Sequence, residues 1–329
     1  MNIQKMYTAV DVHVNGEAFR VIKDVPCKYY YNLEQLNEQF SGELAEEMQL
    51  LLNEPLSGEL AEEMQLLLNE PRGFIGLNGC IVVPSIHPEV DAAVLFFNHE
   101  GSIPLHYGGI VAVITMLLES GYLKKRETNQ YKIETLSGIF LVHAYVENDE
   151  VVSVSFESKV CYMIEKNLQV EHISYSLIQA DKVYAVVEKD AYSPEIHIEN
   201  ISELKKWGES TLQAIQKQSL IQRLILVDSS QKEKNHIKSI TFQEDNFIVR
   251  SPGFISTIVS YVHALFKNNY IADKPFINES ICNSFITVEK VKKEEIGYIF
   301  RFESRGFITG MQTFLLDPTD PFPTGFLLK

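Results

Sequence analysis

Short apolar runs of strand length dominate this chain. MYTAVDVHV, EAFRVI, GCIVVP, AAVLFF, GIFLVHAYV, VVSVSFES, KVYAVVE, RLILVD, HIKSITF, NFIVRS, SFITVEKV and YIFRFES combine alternation or continuous apolarity with β-branched and aromatic residues. Helical periodicity interrupts them at Gly109–Ser120, about Ile201–Lys217 and Phe254–Lys267. Strands that outnumber helices this far predict an α+β fold.

Two of the helices share a pattern. IPLHYGGIVAVITMLLESGYL and VRSPGFISTIVSYVHALFKNNYI each pass from a strand through proline to a small-residue turn, then to a helix apolar on most faces. Such a helix is buried. His106 and Gly253 occupy corresponding places, 253 − 106 = 147 residues apart, about half the chain. The pattern predicts two pseudo-symmetric halves, each a β-barrel around one central apolar helix, with a cleft between them. Residues 1–160, joined by the C-terminal segment 310–329, form the first half, and residues 161–309 the second. A repeat is superimposed: SGELAEEMQLLLNEP occurs at Ser41–Pro55 and again, word for word, at Ser57–Pro71. Each copy reads as an amphipathic helix with Ser at its N-cap and Pro beyond its end. Two copies are too few for a solenoid, so they read as a recent tandem duplication or a sequence artefact, away from any chemistry.

Composition narrows the function. The 329 residues are 45% apolar and 22% charged, as in a soluble globular protein with a sizeable core. A net charge of −15 without a long basic run argues against nucleic-acid and anionic-membrane partners. No apolar run reaches the roughly 20 residues of a membrane span, and MNIQKMYTAVDVH lacks a signal peptide's apolar segment, so a cytoplasmic protein is expected. Cys27, Cys80, Cys161 and Cys282 show no CxxC spacing and the nine histidines no HExxH pair, which predicts neither a disulfide framework nor a metal site. The two helix starts offer another chemistry. Their unpaired N–H groups carry partial positive charge, and two facing starts could hold a small carboxylate without Lys or Arg. On the other reading, Gly108-Gly109 only permits tight packing.

The residues resemble the proline racemase family, which includes 4-hydroxyproline epimerases and trans-3-hydroxyproline dehydratases. DVHVNGEAFRVI (Asp11–Ile22) is similar to its opening motif. NEPRGFIGLNGCIVVP (Asn69–Pro84), VLFFNHEGSIPLHYGG (Val94–Gly109), NESICNSF (Asn278–Phe285) and GFITGMQTFLLDPTDPFPTGF (Gly306–Phe326) follow its later motifs in order. The resemblance implies a two-half fold shared with diaminopimelate epimerase, no cofactor, and two thiols on opposite faces of the substrate. One thiolate takes the α-proton while the other thiol donates from the far side. It also implies that helix-start amides hold the carboxylate.

The chain departs from that pattern where the thiols belong. The family's first turn is Met-Cys-Gly-His-Gly, and here Leu105-His106-Tyr107-Gly108-Gly109 places His106 at the thiol position. The second turn, Asp-Arg-Ser-Pro-Cys-Gly-Thr-Gly-Thr in the family, reads Val249-Arg250-Ser251-Pro252-Gly253-Phe254-Ile255-Ser256-Thr257. Gly253 has no proton to give, Val249 replaces the acid, and the Gly-Gly feature expected near Val183-Tyr184 is missing. Two-base racemisation is therefore not expected. Binding of a small carboxylate or imino acid through Tyr107, Gly108, Gly109, Phe254, Ile255 and Ser256 is expected instead, with Tyr107 and Phe254 as pocket walls. A one-base isomerase or dehydratase with His106 as base is the alternative, an imidazole being a reasonable base at neutral pH. A racemase of variant mechanism is a third reading. His13 and Glu17 are read as holding strand and loop geometry, Asp317 and Asp320 as turn caps, Arg250 as an anchor of its turn, and Thr257 as a cap or ligand. A homodimer is compatible with the sequence.

Overall fold

The computed structural model describes residues 5–23, 32–41, 59–190, 192–230, 235–243, 247–267, 270, 274–317, 319–323 and 325–327. Residues 42–55 of the first copy of the repeat and Cys27 lie outside them. The chain divides into two compact units, Met1–Val154 with Arg305–Lys329, and Ser155–Ser304.

The first unit begins with β1 (Lys5–Val14) and β2 (Glu17–Ile22), an antiparallel hairpin. Its turn, Asn15-Gly16, has φ of 50° and 85°, the geometry that Asn-Gly supplies and that matches strand twist. α1 (Leu33–Ser41) and α2 (Glu59–Leu68), the latter within the second copy of the repeat, precede β3 (Leu77–Val83), which pairs parallel to β2. β4 (Ala92–Asn98) is antiparallel to β3, and the short β5 (Gly101–Ile103) antiparallel to β4. The chain then forms α3 (Tyr107–Glu119) and returns as β6 (Gln130–Thr135), parallel to β4, with β7 (Gly138–Glu147) antiparallel to it. All of Tyr107–Leu117 is buried, and α3 packs on β1, β2 and β3. β8 (Glu150–Glu157) carries the chain past the unit boundary.

The second unit contains β9 (Tyr162–Val170), β10 (Ile173–Gln179) and β11 (Val183–Glu188), joined antiparallel. α4 (Ile201–Gln216) leads to β12 (Arg223–Asp228), parallel to β11, and β13 (His236–Gln243) is antiparallel to β12. α5 (Phe254–Phe266) leads to β14 (Phe276–Glu279), parallel to β13. β15 (Phe285–Lys293) and β16 (Tyr298–Ser304) follow antiparallel, and α5 packs on β9 to β12 and β14 to β16. The last strand, β17 (Gly306–Leu316), belongs to the first unit, antiparallel to β1 and against α3.

The two units repeat one pairing order. From β1 and from β10, successive pairs run antiparallel, parallel, antiparallel, parallel, antiparallel, and the second parallel connection contains the buried helix. Both buried helices begin where the two proline-bearing turns place them. α3 starts two residues before the sequence boundary at Gly109, because His106 caps it. The described part of NFIVRS, Phe247–Ser251, forms no strand: Ile248 makes only an isolated bridge to Phe242, since Ser251-Pro252 turns the chain into α5. Among the described residues, no helix is long and apolar enough to cross a membrane, and no group of three His, Cys, Asp or Glu is placed to hold a metal ion.

Candidate functional site

The start of α3 is capped by a side chain. His106 is extended (φ −135°, ψ 105°), and its Nδ1 accepts the Gly109 N–H at 3.3 Å. Its Nε2 lies 3.2 Å from Glu17 Oε1, with side chains 20% and 16% exposed. These two contacts fix the tautomer of the neutral ring. Nδ1 accepts from a backbone donor, so the proton sits on Nε2 and is donated to the carboxylate. Both ring nitrogens are thereby engaged. Glu17 also accepts from Asn78 Nδ2 at 3.3 Å.

Strand alternation explains why Glu17 reaches the ring. Glu17 and Phe19 are two residues apart on β2 and share its helix-facing side, and the Phe19 ring meets His106 edge-on at 5.0 Å. Phe96 on β4 closes the other side at 6.3 Å. These rings also account for both glycines of the turn. A Cβ on Gly108 would lie 2.8 Å from Phe19 Cζ, and one on Gly109 2.6 Å from Phe96 Cε1. Tyr107, the first helical residue, is 3% exposed and packs edge-on against Phe140.

The start of α5 is built differently. Gly253 has φ 70° and ψ 126°, a conformation that L side chains rarely adopt, and it provides no side-chain cap. Flanking hydroxyls hold the turn instead. Gly253 N–H donates to Ser251 Oγ at 3.1 Å, and Thr257 Oγ1 donates to the Gly253 carbonyl at 2.7 Å. Asn278 Nδ2 donates to Thr257 Oγ1 at 3.1 Å, and Thr241 Oγ1 to Ser256 Oγ at 2.7 Å. Phe254 is 4% exposed, between Phe302 and Phe156. Ile255 is partly buried, and Arg250 is exposed. As in any helix, the first-turn N–H groups have no intrahelical acceptor. Here no capping side chain covers them.

Two of the expected placements take on a different character. Tyr107 and Phe254, read from the sequence as pocket walls, both lie in the aromatic core of their own unit. Ser256 and Thr257 are buried within the polar network beneath the helix start.

Among the described residues, no thiol takes the place of the missing pair. Cys80 and Cys161 are buried, and burial pushes both thiols far above the ordinary cysteine range, with the nearby charges of Glu17 and Asp181 adding to it. Cys282 is exposed, in the Ser280–Ser284 turn. His13 stacks on Phe307 at 5.1 Å. Asp317 accepts Thr319 N–H at 2.9 Å, and Asp320 accepts Phe322 N–H at 2.9 Å while pairing with Arg72 at 3.0 Å. The opening motif is braced by Arg20, which is 3% exposed, donates twice to Asp11 at 2.8 Å and once to the Arg72 carbonyl at 2.7 Å.

The comparisons with known proteins agree with this architecture. The chain is 26% identical over 351 residues, covering 100% of both, to a trans-3-hydroxy-L-proline dehydratase of Bacillus cereus. It is 22% identical over 354 residues, again covering 100% of both, to a 4-hydroxyproline 2-epimerase of Streptosporangium roseum. A hydroxyproline epimerase from Agrobacterium vitis, solved with bound trans-4-hydroxy-L-proline, superposes with a TM-score of 0.81 at 20% identity, covering 100% of this chain and 96% of that one. The sequence profile described as proline racemase matches residues 9–327. This chain belongs to the proline racemase family.

Proposed function

We propose that the protein binds a small carboxylate of the proline or hydroxyproline class and does not carry out two-base racemisation. One observation carries this reading: neither helix start presents a group able to exchange an α-proton. Gly253 has no side chain, and both His106 ring nitrogens are already bonded within the protein. The carboxylate is assigned to the first-turn amides of α5, which no side chain caps. The α3 start is less suited, because an imidazole occupies its amide and the Glu17 carboxylate stands behind it. The related epimerase with bound trans-4-hydroxy-L-proline supports the ligand class.

Calorimetric titration with L-proline, D-proline and the 3- and 4-hydroxyprolines tests binding, and α-hydrogen exchange in heavy water tests chemistry. Saturable binding without exchange is expected; turnover of any of these acids overturns the reading. Ile255→Asp, which places a like charge beside the α5 amides, is expected to weaken carboxylate binding at least about tenfold, the effect of ~1.4 kcal/mol.

A second reading has its own support. A carboxylate 3.2 Å from His106 Nε2 fixes the orientation of the ring. That is the arrangement of an oriented base. Elimination needs a single base to take the α-proton and pass it to the departing β-hydroxyl, which leaves as water, and the relative named as a dehydratase is named for a β-hydroxylated imino acid. His106 would then have to release the Gly109 N–H to free Nδ1. Loss of elimination from trans-3-hydroxy-L-proline in His106→Ala would favour this reading, and absence of elimination in the unmodified protein would remove it.

A further inference from the structure

SGELAEEMQLLLNEP at Ser41–Pro55 and at Ser57–Pro71 is identical at every position, with an offset of 57 − 41 = 16 residues. α2, drawn from the second copy, fills a defined seat in the first unit. Leu60, Met64, Leu67 and Leu68 are each at most 1% exposed and pack in one core cluster with Leu36, Ile81, Leu95 and Phe97. Their spacing of three and four residues puts them on one helix face. Polar contacts hold the same helix in register. Tyr7 donates to the buried Glu63, Gln65 Nε2 donates to the Asn98 carbonyl at 2.6 Å, and Arg20 donates to the Leu67 carbonyl.

Each of these groups on α2 has a duplicate sixteen residues earlier, in Leu44, Glu47, Met48, Gln49, Leu51 and Leu52. The seat therefore has no side chain by which to tell the copies apart. Chain continuity has to do so. With either copy seated, sixteen residues are inserted, before the seat in one register and after it in the other, so the entropy of closing the loop nearly cancels. The turn that follows α2 decides between them. Arg72 and Gly73 N–H both donate to the Asn69 carbonyl, at 3.0 and 2.7 Å, and the Arg72 guanidinium pairs with Asp320 at 3.0 Å. A Cβ on Gly73 would lie 2.1 Å from the Leu68 carbonyl oxygen. The first copy continues instead into Leu56 and Ser57, which lack the guanidinium and bring that Cβ. Seating the first copy means opening this turn, whereas leaving the seat unfilled means losing a core.

We propose that the two copies are alternative occupants of one seat: the second holds it because the turn Asn69–Gly73 follows it directly, and the first takes it when the second is disabled. The duplication then acts as a spare helix, and damage to the seated copy is met by a shift of sixteen residues in register.

Urea unfolding of three variants of the full chain tests this. Met48→Asp is expected to leave the midpoint unchanged. Met64→Asp is expected to lower it modestly, because the first copy takes over, and Met48→Asp/Met64→Asp to lower it much further, because no intact copy remains. Equal losses in Met64→Asp and the double variant overturn the proposal, as does a loss in Met48→Asp that matches the one in Met64→Asp. Met48→Cys reads the exchange directly and stays decisive if the double variant does not fold. Alkylation at position 48, followed by peptide mass spectrometry, is expected to slow at least about tenfold when Met64→Asp is added, because a seated thiol reacts only on opening. An unchanged rate would mean that the first copy stays off the seat, and it overturns the proposal.

Discussion

The starts of α3 and α5 stand at the same step of one repeated topology, yet they are stabilised by opposite means. At α3 a side chain does the work: His106 caps the helix, Glu17 holds the ring, and Phe19 and Phe96 press against glycines that have no room for a Cβ. At α5 the backbone does it: Gly253 adopts a conformation closed to other residues, and hydroxyls from Ser251 and Thr257 tie its N–H and carbonyl. The lesson is that the repeated fold preserves two helix starts without preserving what sits on them. The α3 start is charged and filled, whereas the α5 start is neutral and uncapped. Pairing order and chemistry are separable properties of this chain.

The largest effects should come from what the two starts share. Tyr107 and Phe254, each the first residue of its helix, are buried against aromatic rings. Tyr107→Ala and Phe254→Ala should each cost about 3–5 kcal/mol, measured by urea unfolding. If either side chain instead lined a ligand pocket, its removal would cost far less and would widen ligand acceptance.

Substitution of the turn glycines should then separate the two. Gly108→Ala forces a methyl against Phe19, an overpacking cost of about 1–3 kcal/mol. Truncating the ring in Gly108→Ala/Phe19→Leu should recover part of it. Gly253→Ala should cost a similar ~1–3 kcal/mol for a backbone reason. A Cβ there would meet only Ser256 Oγ, at 3.2 Å, so Gly253→Ala/Ser256→Ala should recover little. Equal rescue at both positions would erase the distinction between steric and conformational control. Gly253→Cys inherits the same backbone strain, so restoring the family's thiol type is expected to lower stability without yielding racemisation.

The cap itself comes next. His106→Ala should cost about 1 kcal/mol, and His106→Asn, which can still accept from a first-turn N–H, should cost less. Thermal unfolding of the pair checks this. If Asn proved no better than Ala, the cap would matter less than the Glu17 contact.

Much of this was legible in the chain, and the limits have physical causes. The two proline-bearing turns and their apolar helices stood out because a helix buried on all sides loses its polar face, as α3 does over Tyr107–Leu117. The absence of thiols at positions 106 and 253 was equally plain. The partner of His106 was not. Glu17 lies 106 − 17 = 89 residues away, and only the Asn-Gly hairpin together with the packing of α3 on β2 brings it to the ring. Alternation along β2 places Glu17 with Phe19, but it does not say which helix that face meets. The direction of Tyr107 and Phe254 was likewise hidden, because a first-turn residue can face core or opening depending on how the helix is set. Of the strands absent from the sequence reading, β5, β6, β9, β10, β14 and β17, two lack a clean period. β9 is largely exposed and rich in polar residues, and β17 carries Gly310 within an otherwise apolar run, so neither shows a clean period.

The smallest effect concerns a second Glu–His pair, at the far end of α5, and it follows from linkage. Glu188 has a folded-state pKa below its ordinary 4.5, because hydrogen bonds from His263 and Ser229 and the charges of His263 and Lys267 outweigh the opposing effect of burial. A carboxyl with a depressed folded value stabilises the fold fully above its unfolded value and loses that contribution as pH falls through the folded one. The difference in unfolding free energy between the unmodified chain and Glu188→Gln should therefore be constant above about pH 5 and shrink as the pH drops below 4.5. Urea titrations at pH 6, 5, 4 and 3.5 would read it. A difference that grew on acidification would mean that burial prevails over the partners of Glu188.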